Sequence, residues 1–257
     1  MHTWSKIAAT ATAGCLGALV AATASGAADI TVISTGSVQE LLAALAPSFE
    51  RASGHKLRVR IEAGTAIVSK IKAGEDADLV LAGAATIDEL VKEGKIPAAS
   101  RLNVLLSGVG VAVRAGAPKP DISTPEKFKA ALLAAKSVAY STGPTRGPSG
   151  RHFASVIQRL GIAEQMKPKT VLVEVGPVGE VVANGQAEIG AQQISELLPV
   201  PGVDVVGPLP GDLQQVLIYT SGIPANARNA DAAKAFVKFL TSEFAMPEIK
   251  KKGLEPG

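Results

Sequence analysis

Three short segments place a hydroxyl and a glycine where an extended pattern gives way to a helical one: Thr35-Gly36-Ser37, Ala63-Gly64-Thr65 and Pro148-Ser149-Gly150. The first turn of a helix leaves backbone N–H groups without partners, and its dipole favours negative charge there. Such a loop offers N–H and O–H donors to an acceptor-rich anion. Ser and Thr are also ordinary N-caps and Gly an ordinary turn residue, so each segment taken singly reads first as a cap. Three at equivalent places in a repeating strand–helix order favour one shared negative ligand, with Gly36, Ser37, Gly64, Thr65, Ser149 and Gly150 as candidate contacts.

Two cations lie within and just after the third segment, Arg146 and Arg151. A guanidinium matches a carboxylate with two parallel hydrogen bonds, so either entering a cleft suits an organic acid. Arg151 falls inside a helical pattern and reads as solvent-facing; Arg146 is open between the two roles. A bare tetrahedral dianion needs neither, because neutral donors and helix ends suffice.

Evidence for catalysis is thin, and the expectation is a binding protein without enzymatic activity or cofactor. His55 lies in a Gly54-His55-Lys56 turn and reads as solvent-facing, and His152 reads as a packing residue on a helix. No His, Cys, Asp or Glu grouping has metal-ligand spacing, and neither G-x-G-x-x-G nor G-x-S-x-G occurs. With six Phe, two Tyr and one Trp, the chain is poor in the stacking platforms that sugars favour.

The elements that must carry these loops follow from periodicity. "DITVIST" is a short strand pattern, and the next segment puts Val38, Leu41, Leu42, Leu45 and Phe49 on one helical face. "HKLRVRIEA" and "ADLVLAG" are further strands, each followed by a helical pattern. "KSVAYST", "TVLVEVG" and "VDVVGPLP" are strands of a second unit, with helices over "GRHFASVIQRLGI" and "VGEVVANGQAEIG". Leu102–Gly116 and Gln214–Pro224 are long enough to cross between two units, and 230–252 is a closing helical region. Repeated strand–helix order argues for doubly wound α/β lobes with ligands at the carboxyl ends of the strands. The expected division is 29–107 with 217–257 in one lobe and 108–216 in the other, hinged by two crossing strands.

Composition agrees: 47% hydrophobic and 19% charged residues among 257 is the balance of a packed globular chain. Residues 1–28 carry one Lys and no acid, then small apolar residues and Ala-rich cleavage sites before Asp29, which is the pattern of a secretory signal peptide. Removing it takes away Lys6 and lowers the formal charge from +3 to +2. It also removes the single Cys, so no disulfide is expected. Cys15 follows small residues as in a lipoprotein signal, but the apolar run continues past it, and simple cleavage near Ala28 reads better. The near-balanced charge gives no nucleic-acid footprint.

Several stretches together, "ITVISTGSVQELLAALAPSFERASGHKLRV", "AGTAIVSKIKAGEDADLVLAG", "GPSGRHFASVIQRLG", "EVVANGQAEIGAQQ" and "AFVKFLTSEFAMPEIKKKG", resemble the periplasmic molybdate-binding proteins of ABC importers and their wider family. The resemblance implies the type II periplasmic-binding fold, a periplasmic location, a monomer, and an inner-membrane ABC permease as partner. It implies oxyanion contacts at Ser37, the Gly64-Thr65 turn, Ser149, the backbone of Val175, and Gln193. This chain departs from the family where a serine run gives way to Ala63-Gly64-Thr65, an alanine to Ser149, and a tyrosine to Gln193. Gln192 and Gln193 bring amides in place of a phenol, and the loop from Tyr140 to Gly150 is two residues longer than the family norm. Molybdate, tungstate or a similar oxyanion is the first expectation for the ligand, a small carboxylate the second, and an exported enzyme or sensor the third.

Overall fold

A computed structural model describes residues 26–141, 148–174 and 176–257. The core of the expected signal peptide with Cys15, and the candidate contacts Arg146 and Val175, lie outside the described residues.

The chain opens as strand β1 (Asp29–Ser34), a single 3-10 turn (Gly36–Val38), helix α1 (Gln39–Ser53) and strand β2 (Lys56–Ile61). Helix α2 (Gly64–Lys72), strand β3 (Leu79–Gly83) and helix α3 (Ala84–Lys92) follow. The long strand β4 (Leu102–Arg114) leads to α4 (Pro125–Ala134), β5 (Val138–Ser141) and α5 (Pro148–Arg159). Next come α6 (Ala163–Met166), β6 (Thr170–Val173), α7 (Val178–Ala183), β7 (Ile189–Gln193), α8 (Ile194–Leu197) and β8 (Val203–Pro208). The chain closes with β9 (Val216–Gly222), α9 (Ala230–Leu240), α10 (Met246–Lys251) and the short β10 (Glu255–Pro256).

Strand β1 pairs in parallel with β2 and β3, and β5 pairs in parallel with β6 and β7. Strand β4 joins the two sets. Its residues up to Gly108 pair antiparallel with β9, and from Val109 onward it pairs antiparallel with β7. Strand β9 begins at Val216, opposite Gly108, so both connections pass where β4 changes partner. The Gln214 side chain secures that point by accepting from the Val109 N–H at 3.0 Å and donating to the Val109 carbonyl at 2.9 Å.

Both faces of each sheet are covered, as a doubly wound fold requires. In β1, Ile30 and Val32 pack with Leu41, Phe49 and Phe236, whereas Ile33 packs on the other face with Ile67, Ile71 and Ile87. In β5, Val138 belongs to a core with Phe128 and Phe153, and Ala139 to one with Val178 and Val182. All five apolar positions expected on one face of α1 and its leading turn are buried. Asp78, also buried, accepts from the Thr31 N–H at 2.9 Å and the Asn229 N–H at 2.8 Å, tying β1 to the start of α9.

Two sequence expectations change. The helix read through Gly190 ends at Ala183, and Ile189–Gln193 is a fully buried strand. Gly185, at φ +72°, makes the turn between them. The "GQAEIGAQQ" stretch looked helical because its small residues and glutamines carry no period-2 signal; the strand is buried on both faces and needs none. His55, expected in solvent, is 7% exposed: its Nδ1 accepts from the Ala28 N–H at 3.2 Å and its ring lies 6.2 Å from that of Phe49.

Candidate functional site

The first expected loop sits at the carboxyl end of β1, where Thr35 leads into the 3-10 turn before α1. From this turn Ser37 donates its hydroxyl proton to the Glu196 carboxylate on α8. The other carboxylate oxygen of Glu196 accepts from the Gln192 side-chain amide. Gln192 in turn accepts through Oε1 from the Val178 N–H, the first of α7, at 2.9 Å. The turn after β1 therefore meets α7, β7 and α8 in one polar chain, Ser37 and Glu196 being 159 residues apart.

Gln193 and Tyr219 extend the chain inward. Gln193 is 0% exposed, and its Oε1 accepts from the Tyr219 hydroxyl at 2.8 Å. With Oε1 so occupied, the Gln193 Nε2 is left facing away as a donor, and it has no hydrogen-bond partner among the described residues. The Thr35 hydroxyl is in the same state. A buried donor left unpaired costs about 1–3 kcal/mol, so such groups point to an oxygen-bearing ligand or an ordered water.

Burial disfavours charge here. It raises the Glu196 carboxyl above the usual carboxylate range, although the bonds from Ser37 and Gln192 pull it part of the way back. Burial likewise raises the Tyr219 phenol, with the Glu196 charge adding to the shift against the bonds to Ser37 and Gln193. The phenol stays protonated at any neutral pH, and Glu196 is the group of this network placed to gain or lose a proton.

A cavity of about 460 Å³ opens beside the network, its wall including Gly36, Gly176, Gln192, Ser195, Glu196 and Pro199. Glu40 and Glu180 also border it. Of the residues expected from sequence, the cavity gathers Gly36 and Gln192 directly, with Ser37 and Gln193 joined to it through Glu196 and Tyr219. Gly64, Thr65, Ser149 and Gly150 do not line it. Thr65 is exposed at the start of α2, while Ser149 and Gly150 are buried where α5 meets the end of β5. A side chain at Gly150 would collide with the Ser141 carbonyl group, whose carbon would lie 2.8 Å from an added Cβ, so glycine allows that close approach. Arg151 is exposed, and His152 Nε2 lies 2.7 Å from the Leu213 carbonyl oxygen, bracing α5. Among the described residues no group of His, Cys, Asp or Glu is arranged to hold a metal ion, and no helix is long and apolar enough to cross a membrane.

Glu196 and Tyr219 were missed by sequence reading. The spacing Gln192 to Glu196 is the available signal, but it straddles a strand and a helix that the sequence pattern did not separate. Tyr219 looked like an ordinary strand residue.

Residues 30–255 match the family model for bacterial extracellular solute-binding proteins. The chain belongs to that family. Among curated relatives of this solute-binding protein, aconitate isomerase from a Pseudomonas species is 35% identical over 233 residues, covering 88% of this chain and 87% of that one. The molybdate-binding protein ModA of Azotobacter vinelandii is 28% identical, covering 93% and 94%. The solved structure of the periplasmic molybdate-binding protein of A. vinelandii aligns with a TM-score of 0.71 at 18% identity, over 88% of this chain and 98% of that one. The architecture is that of the type II periplasmic-binding proteins, as the sequence led one to expect.

Proposed function

We propose that this solute-binding protein is exported to the periplasm, binds a small organic polycarboxylate in the cavity between the Gly36–Val38 turn and α8, and delivers it to an ABC permease. The observation that carries the choice of ligand is the Glu196 carboxylate standing on Ser37, a hydroxyl first expected to hold a bare oxyanion. Two unit charges of like sign about 4 Å apart repel by about 4 kcal/mol in partly buried surroundings. That is close to a thousandfold in affinity. A fully deprotonated tetrahedral dianion has no proton with which to relieve this repulsion. An organic acid can turn a protonated carboxyl, a hydroxyl or a C–H edge toward Glu196 and direct its remaining carboxylates away from it. The name of the Pseudomonas relative, and a cavity larger than a tetrahedral ion needs, support the same reading.

A second reading, a molybdate- or tungstate-like oxyanion, is supported by the full-length likeness to ModA and by the upward shift of Glu196, whose neutral form donates rather than repels. Thermal unfolding with molybdate, tungstate, sulfate, citrate and trans-aconitate separates the two. A ligand at 100 times its dissociation constant adds about 2.7 kcal/mol, which moves the melting temperature of a domain this size by about 5–10 °C. The organic-acid reading expects that shift with a polycarboxylate. A shift with molybdate and none with the acids refutes it.

A further inference from the structure

Three carboxylates border the cavity, and their surroundings differ. Glu40 lies 3.6 Å from Lys252 and, like Glu180, is exposed to solvent. Glu196 is held instead by uncharged groups, Ser37 on one oxygen and Gln192 on the other, with part of its surface on the cavity. This leaves a carboxyl group fixed in direction, half-buried, and open toward whatever the cavity holds. Burial also moves its proton affinity toward neutral pH, where a group that both takes and gives a proton works best.

We infer that Glu196 removes and returns a proton on a bound unsaturated polycarboxylate, with Ser37 orienting its carboxyl group, so that the protein shifts a double bond in the acid that it binds. The inference rests on the organic-acid reading of the same cavity. In an acid with a CH2 group next to a carbon–carbon double bond, the Glu196 carboxylate takes one proton from that CH2. The C–H electron pair becomes a new double bond, and the old one moves its electrons toward the conjugated substrate carboxylate. The negative charge then rests on those carboxylate oxygens. The Glu196 carboxyl next returns its proton to the far carbon of the three-carbon unit. One C–H bond has broken and another has formed, the double bond has moved by one position, and no oxidant or reductant is consumed. The aconitate isomerase relative bears the name of an isomerisation of just such an acid.

The test uses the full chain, with trans-aconitate as probe in deuterated water. Calorimetry reads binding, and proton NMR reads both the loss of the CH2 signal to deuterium and the growth of the cis isomer. The wild-type protein should bind the acid and catalyse exchange. The Glu196→Gln variant should bind within about tenfold of wild type and lose exchange by about a hundredfold or more. Should that variant not fold, Glu196→Asp withdraws the carboxylate by one methylene and should slow exchange at least tenfold with binding kept. Binding by the wild type with neither exchange nor growth of the cis isomer overturns the proton transfer and leaves the organic-acid reading standing. No binding of any organic acid overturns both. Exchange at the wild-type rate in Glu196→Gln or Glu196→Asp removes Glu196 from the role.

Discussion

Replacing Tyr219 by Phe tests the inner half of the polar network at one atom. The ring stays, and so does the packing of a side chain that is 3% exposed; what goes is the hydroxyl that donates to Gln193 Oε1 at 2.8 Å. Gln193 is 0% exposed and its Nε2 has no partner, so the substitution leaves the whole side-chain amide without hydrogen bonds among the described residues. An unsatisfied buried acceptor costs about 1–3 kcal/mol, from which the relief of burying a phenol is subtracted. The net expectation is a loss of about 1–2 kcal/mol, read as a fall in melting temperature of about 2–8 °C. Gln193→Met, of similar length and without polar atoms, takes away the acceptor of the Tyr219 hydroxyl but leaves its bond to Ser37, and should cost somewhat less. The double variant removes both partners and should cost clearly less than the two single losses together, because an apolar pair needs no hydrogen bond. Thermal melts of the four proteins give the coupling energy, expected at about 1 kcal/mol or more. Losses that add to within about 0.3 kcal/mol would show that the two groups do not depend on each other, and the argument that Tyr219 aims the Gln193 amide would fall.

Other consequences are open to measurement. Because burial raises the Glu196 carboxyl, folding takes up a proton there, and its contribution to stability is lost as pH rises from the ordinary Glu value of about 4.3 through the raised one. The melting temperature of Glu196→Gln minus that of wild type should therefore climb with pH across that window, and a flat difference from pH 4 to 8 contradicts it. Gly150→Ala drives a methyl into the Ser141 carbonyl and should destabilise the protein by about 1–3 kcal/mol, with a melt within 1 °C of wild type counting against the close approach. Export predicts a mature chain beginning near Asp29 in the periplasmic fraction, and an intact-mass measurement that finds Met1 or a lipidated Cys15 there rejects cleavage near Ala28.

Much of the architecture is written locally. Val38, Leu41, Leu42, Leu45 and Phe49 recur at helical spacing because one face of α1 must cover β1, and they are all buried. Glycines after "VIST", "RIEA" and "DLVLA" mark where strands end and helices start, since turn chemistry acts over a few residues. Ser37 was legible as a polar group at such a place. Strand β7 was not, because a strand buried on both sides loses the alternation that announces one, and its last residues are glutamines whose burial depends on partners elsewhere.

Most of the strand–turn–helix order and the hydroxyls at helix starts were properties of the sequence alone, because each depends on spacing within one or two turns of chain, and the binding-protein fold was implied by the resemblance. What lies opposite Ser37 was decided by the tertiary structure. Nothing in the sequence singled out Glu196; the crossing of β4 brings α8 against the turn after β1. Charge in a cleft is set by which groups share its low dielectric, and that depends on contacts between residues far apart along the chain.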